Sequence, residues 1–470
     1  MKKLFRILTA PLMALFLCFS AAAAEEALPE KLTVSLPETV QGFGEWEIRL
    51  SSPAAGEAEV LIQDGAGNTW RTFRASVSAG ETVFQWDGLG LQKEKLLRGR
   101  YTAAARVTTA GGEELTASRT FQLQGSVVPT MQYGLPSAGV IYPGPECGFF
   151  VEVLMSAHSG IAAMEVWQGD TLIWKQDKTI ANPERTELYW NGRIAKDTWI
   201  APGDYTLKLY GKLNPEYCFT WSLRVEEGEE PEIPVEPTGS IMPTREMTDE
   251  EIWEIMMKPS AVLKDSSMLT RIHVYEEPSG ESRSVGFLRG QTQAVEVLEI
   301  DGDWAKIHAW GHTSAEEITG YLPLRLLGVE NPSPWYGILV DKEAQTLTVY
   351  EQGKKLAVIP VSTGLPTAEE PKRETTPGAF LTARHEGESF ANSGLRYEYP
   401  LRYDGGNIIH GIGYLKRGGV RDYSINLPML GQKASHGCIR VPFQPPEGCE
   451  LNCYWLWTHI PYHTRVIVLP

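Results

Sequence analysis

Three features of the sequence predict a mainly β, multidomain chain. The first is a duplicated segment rich in strand and turn signals. The second is a short set of alternating strands behind it. The third is a C-terminal region with almost no helical periodicity before its last turns. At 470 residues the chain exceeds what one hydrophobic core supports, so three or four domains are expected.

Residues 1–24 read as a secretory signal peptide. Lys2, Lys3 and Arg6 precede the apolar run Leu12–Phe19, and Ala22-Ala23-Ala24 offers a small-residue cleavage site before Glu25. Leu17 before Cys18 argues against lipid attachment. Residues 30–125 and 128–225 read as two copies of one β-sandwich. Trp70, Trp86, Gly88, Gly99, Tyr101 and Thr102 recur at one constant offset as Trp174, Trp190, Gly192, Gly203, Tyr205 and Thr206. Each copy has a Trp-Asp/Asn-Gly turn and a Gly-x-Tyr-Thr strand start. The tryptophans admit carbohydrate stacking, but core packing is the commoner use. Residues 226–260 read as an acidic, proline-bearing spacer followed by a short helix, which Thr248-Asp249-Glu250-Glu251 opens as a capping box and Pro259 ends. Residues 261–330 read as a small barrel of short strands, with Gly302-Asp303-Trp304 before the last turn. Residues 336–470 read as a β-rich domain, opening with Ile338–Asp341, Gln345–Tyr350, a Gln352-Gly353 turn and Leu356–Val361.

Charge and cysteines narrow the function. A formal charge of −16 is opposite to that of a phosphate-backbone binder, so no nucleic-acid partner is expected. No later apolar run is long enough to span a membrane. Export to the periplasm, cell wall or medium is the expectation. In such oxidising surroundings Cys147 with Cys218, and Cys449 with Cys453, are the guessed disulfides, leaving Cys438 over.

That leftover cysteine lies in Ser435-His436-Gly437-Cys438-Ile439-Arg440, with Ile409-His410-Gly411 upstream. A thiol does covalent chemistry only as a thiolate, and a neighbouring imidazole can supply that state. Apolar β-branched neighbours place both segments on strands, where His436 and Cys438 would share a face. The pattern points to a cysteine acyltransferase.

Val340-Asp341, Thr346–Tyr350, Ser362-Thr363-Gly364, Thr376-Pro377-Gly378, Ile409-His410-Gly411 and Ser435–Arg440 follow one another as in L,D-transpeptidases of the YkuD type, which residues 336–470 resemble. The repeats resemble immunoglobulin-like modules of flagellar hook-capping proteins, and residues 261–330 resemble a bacterial SH3-like domain. The resemblance implies a Cys438 nucleophile, His410 as base, and the Gly411 carbonyl orienting the imidazole. It also implies Gly437 and Cys438 amides in an oxyanion hole lined by His436, with His436 as a competing base. Ser435, Arg440 and Tyr403 are the expected substrate contacts, though Arg440 is equally suited to a structural salt bridge. Peptidoglycan stem peptides are then donor and acceptor, other wall components are partners for the leading domains, and no cofactor is needed.

Two stretches depart from the family pattern or stand out within it. The segment between His410 and Ser435 is long and carries Lys416, Arg417, Gly418, Gly419 and Arg421, either a loop that steers an acidic peptide or a solvated insertion. Residues 384–404, with Tyr397, Tyr399 and Tyr403, suggest a lid or groove wall. Rival readings are an L,D-carboxypeptidase using the same acyl-enzyme and a non-catalytic wall scaffold or adhesin. A zinc site of His410, His436 and Cys438 lacks ligand spacing, so no metal is expected.

Overall fold

The computed structural model describes residues 28–125, 129–156, 160–180, 185–264, 270–290, 292–312, 316–417 and 420–470. The segment expected to be a signal peptide and the Gly418-Gly419 pair lie outside the described residues. The chain is mainly β and multidomain.

The first sandwich sets a five-stranded sheet against a three-stranded one. In the larger sheet Thr39–Gln41, Glu114–Gln124, Gly99–Thr109, Gly56–Asp64 and Thr69–Val77 are neighbours in that order; the smaller joins Thr33–Ser35, Trp46–Ser52 and Gly80–Trp86. Strict alternation places Ala58, Val60 and Ile62 of one strand in the core. Its Trp86-Asp87-Gly88 turn needs glycine. Gly88 has φ +75, and a Cβ there would stand 2.2 Å from the Gln41 carbonyl oxygen. The second sandwich repeats this order strand for strand. Val140–Ile141, Asn214–Val225, Gly203–Gly211, Gly160–Gln168 and Thr171–Ile180 form its larger sheet; Met131–Pro136, Phe150–Met155 and Thr186–Tyr189 form the smaller. Trp70, Trp86 and Trp190 are buried, and Trp174 stacks on Trp190 at 4.7 Å. These tryptophans are core, not stacking platforms.

The acidic spacer is not wholly free. Val235 packs on the core of the next unit, and Thr238 exchanges hydrogen bonds with Val297 through its amide (2.8 Å) and side chain (3.1 Å). Helix Asp249–Met257 follows, with both bonds of the capping box formed. The next unit is a seven-stranded sheet in the order Ser284–Arg289, Arg271–Tyr275, Glu317–Pro323, Trp304–Trp310, Ala294–Asp301, Ser260–Leu263, Leu327–Glu330. It closes on its own core of Ile272, Val274, Leu288, Val297 and Ile307.

The C-terminal domain has a five-stranded sheet in the order Lys354–Pro360, Thr346–Glu351, Tyr336–Asp341, Arg465–Leu469, Gly378–Leu381. Its first and last strands in sequence pair in parallel, Gly337 with Arg465 through Asp341 with Leu469. A separate three-stranded sheet joins Leu401–Arg402, Ile408–Gly411 and Ile439–Val441. Helix Cys453–His459, capped by Asn452 accepting from the Trp455 amide at 2.8 Å, is buried beneath the latter sheet.

The guessed disulfides are absent: Cys147, Cys218, Cys438, Cys449 and Cys453 are all free thiols. Cys453 is instead a buried core residue, its sulfur 3.0 Å from where a Cβ on Gly411 would lie. One contiguous apolar cluster runs through both sandwiches and the C-terminal domain. Trp221 meets Trp335 (5.0 Å) and Tyr133 meets Trp457 (4.8 Å), while Trp70 meets Phe443 (5.5 Å). Among the described residues no helix is long and apolar enough to cross a membrane.

Candidate active site

His410 is carried by the strand Ile408–Gly411, which pairs in parallel with Ile439–Val441. Apolar, β-branched residues on both strands bury this small sheet, and they fix the histidine backbone within it. His410 Nδ1 is 2.7 Å from the Gly411 carbonyl oxygen. A carbonyl only accepts, so Nδ1 carries the proton and Nε2 keeps its lone pair. The ring is buried against Tyr397 (4.8 Å) and Phe390 (5.4 Å), which stack on each other at 5.1 Å. Both come from the hairpin Ser389–Asn392 and Leu395–Glu398, so the polar excursion at 384–404 folds over the imidazole. Burial pushes the His410 pKa down to about 4, against the pull of the Gly411 carbonyl and with a further push from Arg440. The ring is neutral near pH 7.

Cys438 sits just ahead of its strand, in a turn over residues 435–438 rather than on the strand expected from sequence. Ser435 Oγ donates to the Cys438 carbonyl at 2.5 Å and accepts the Gly437 amide at 3.1 Å. Thr375 Oγ1 donates to the Gly437 carbonyl at 2.7 Å while accepting the Gly364 amide at 2.8 Å. Gly437 has φ +118, a conformation side-chain-bearing residues avoid. The sulfur is half-buried, and burial raises its pKa above the ordinary thiol value; the Ile408 amide, Arg440 and Arg402 oppose the rise, and Asp404 adds to it. The registered pairs begin at Ile409 with Ile439, so Cys438 directly precedes the pairing, close enough to the Ile408 amide, two residues before His410, for that amide to act on its thiol. No hydrogen bond joins the thiol to the ring in this state, as is common before substrate arrives.

The other predicted residues divide. Tyr403 is fully buried, packs edge-on against Phe380 (5.3 Å), and its hydroxyl has no hydrogen-bond partner. It lies close enough for the Cys438 charge to raise its pKa beyond what burial alone does. His436 is exposed at the turn, with its pKa lowered by partial burial and by Arg373 and Arg440. Ser435 does not face outward as a substrate contact: it is buried and committed to the turn. Among the described residues Arg440 likewise makes no salt bridge. It is buried, its Nη1 is 3.5 Å from Asn426 Oδ1, and its backbone exchanges bonds with Ser362 (3.0 and 2.9 Å). The Gly437 amide, expected in an oxyanion hole, is donated to Ser435 Oγ.

The long segment after His410 is neither steering loop nor loose insertion at Arg421. That guanidinium is buried, pairs with Glu398 at 2.9 Å and lies 4.8 Å over the Trp70 ring, while Asn68 donates to its carbonyl at 2.9 Å. It braces the domain against the first sandwich. Sequence reasoning missed Thr375, Asp404 and Asn407 as parts of the site, because nothing in local spacing marks a side chain that acts on a turn distant in sequence. Among the described residues no group of three or more His, Cys, Asp or Glu side chains gathers as a metal set. A cleft of about 970 Å³ between the second sandwich, the seven-stranded unit and the C-terminal domain is lined by Arg384, His385 and Arg402, and neither His410 nor Cys438 lines it.

Two parts of the chain match known families. Residues 336–468 match the L,D-transpeptidase catalytic domain family YkuD, and residues 34–111 match the FlgD Ig-like domain. The protein named "Putative L,D-transpeptidase YciB" from Bacillus subtilis (strain 168) is 27% identical over 134 residues, which are 27% of this chain and 63% of that relative. This chain thus spans less than two thirds of that relative's length. Among solved structures, an L,D-transpeptidase from Xylanimonas cellulosilytica is 23% identical with a TM-score of 0.22, covering 29% of this chain and 61% of that one. An L,D-transpeptidase from Mycobacterium tuberculosis H37Rv is 16% identical with a TM-score of 0.23, covering 46% and 82%. Those two scores are too low to support any argument.

Proposed function

Because residues 336–468 carry a YkuD-family L,D-transpeptidase catalytic domain, we propose that this is an exported peptidoglycan L,D-transpeptidase forming 3→3 cross-links through a Cys438 acyl-enzyme. The observation that carries the reading is a free cysteine just ahead of the strand that pairs with the strand of a buried, neutral histidine whose Nδ1 is anchored. A neutral imidazole and a protonated thiol are the resting pair. As the sulfur closes on the carbonyl of the third stem residue, His410 Nε2 takes its proton, so charge develops only when a bond is forming. The oxyanion then meets the Cys438 amide and the Tyr403 hydroxyl, a buried donor free of other partners. His410 returns the proton to the leaving D-alanine amine, leaving a thioester. The side-chain amine of a second stem attacks that thioester, loses a proton to His410, and the thiol is restored.

If water attacks instead, the same thioester gives an L,D-carboxypeptidase. Incubation with a disaccharide-tetrapeptide, read by mass, separates the outcomes. Loss of D-alanine with dimers is expected; loss alone means carboxypeptidase, and no change means a scaffold. Cys438→Ala should abolish both signals, and retained activity would refute the assignment.

A further inference from the structure

The seven-stranded unit reaches the cysteine's surroundings. Its strand Trp304–Trp310 runs out to His312, which is directed at residues 403–407, the loop joining Leu401–Arg402 to the His410 strand. Asp404 in that loop is 1% exposed. One of its carboxylate oxygens accepts from Asn407 Nδ2 at 3.0 Å, and the other lies 3.6 Å from His312 Nδ1. That ring nitrogen is buried and has no hydrogen-bond partner, so the carboxylate is the group it faces. Asn407 completes the path. A Cβ placed on Gly437 would stand 2.5 Å from Asn407 Oδ1, so this amide leans directly on the turn that presents Cys438.

The same loop is held at further points by the same unit. Arg289 Nη1 donates to the Gly405 carbonyl at 3.2 Å. Gly406 lies beneath His312 and Arg289; a Cβ there would come within 2.9 Å of the imidazole. Thr376 Oγ1 donates to the His312 carbonyl at 3.1 Å, tying the histidine's own backbone to the catalytic domain. A chain of side chains whose rotamers are fixed by burial is how a scaffold holds a reactive group to within fractions of an ångström.

We infer that His312 is a positioning residue for the cysteine: acting through Asp404 and Asn407 it fixes the Gly437–Cys438 turn, so the seven-stranded unit supplies part of the active site. This rests on reading Cys438 as the acyl-accepting sulfur. The test uses the intact chain and the second-order rate of Cys438 acylation by a carbapenem, followed as mass gain, beside the melting temperature. His312→Ala should slow acylation roughly tenfold to a hundredfold, the cost of an approximately 1 Å misplacement. His312→Asn, whose amide nitrogen occupies the Nδ1 position, should recover most of the rate. A wild-type rate in His312→Ala, or a slow His312→Asn, would overturn the inference. Should the alanine variant not fold, His312→Gln, whose nitrogen reaches the Nε2 position instead, is expected to be slow, and a wild-type rate there overturns it equally. An absent adduct on the wild-type chain, or one persisting in Cys438→Ala, would overturn the functional reading instead.

Discussion

At the scale of single residues, the proposed role of Tyr403 makes it costly to the fold and useful to the chemistry. A buried hydroxyl without a partner has lost its water and gained nothing in return. Replacing it by hydrogen should therefore leave stability unchanged or slightly raised, while removing an oxyanion donor. Tyr403→Phe is expected to lower kcat about a hundredfold with no fall in melting temperature; a fall in both would mean the hydroxyl serves the fold. Which residues to propose as reactive could be read from the sequence, since a cysteine in Ser-His-Gly-Cys and an upstream His-Gly are local signals. What Ser435 and Arg440 do was not. Both are polar residues beside a nucleophile, yet one closes a turn and the other is locked to Ser362 and Asn426. Adjacency in sequence does not say which way a side chain faces in an irregular turn.

At the scale of elements, the site is a parallel pair of short strands with a turn ahead of one of them. Strand character around His410 was readable from Ile408 and Ile409. The turn at Ser435–Cys438 was not, because Ile439 and Val441 announce a strand without marking its first residue, and the Gly437 conformation ends it early. Thr375 supports that turn from a distant segment through one hydrogen bond to the Gly437 carbonyl, while its hydroxyl accepts the Gly364 amide through another. Thr375→Val keeps the shape and removes both, leaving the Gly364 amide and the Gly437 carbonyl short of partners. The expected cost is about 1–3 kcal/mol, read as a lower urea midpoint at unchanged slope. Carbapenem acylation should slow as well, since the turn presents the sulfur. A variant with wild-type midpoint and rate would show the turn to be self-supporting.

At the scale of the whole molecule, one buried and two half-buried histidines set the acid limit. His410, His459 and His463 have pKa values lowered by burial to about 4, below the ordinary 6.5. Between those values the unfolded chain binds more protons than the folded one, so stability is present above pH 6.5 and is lost as pH falls toward 4. Glu94, raised by burial to about 7, and Glu330, also raised by burial, work in the opposite sense. Three histidines outweigh two carboxylates, so the urea midpoint should be lower at pH 5 than at pH 7; an equal or higher midpoint would contradict the balance. The duplication was legible at this scale because paired tryptophans and turns recur at a fixed spacing. The docking of the duplicated units was not. Arg421 reads as a surface cation until Glu398 and Trp70, remote in sequence, are found around it.

The apolar interior passes without a break from the two leading sandwiches into the domain that bears Cys438. Those sandwiches are therefore a foundation and not a leash. If Cys438 is the nucleophile proposed above, it is mounted on such a block and cannot cast about for its target, so the slack in the encounter belongs to the substrate.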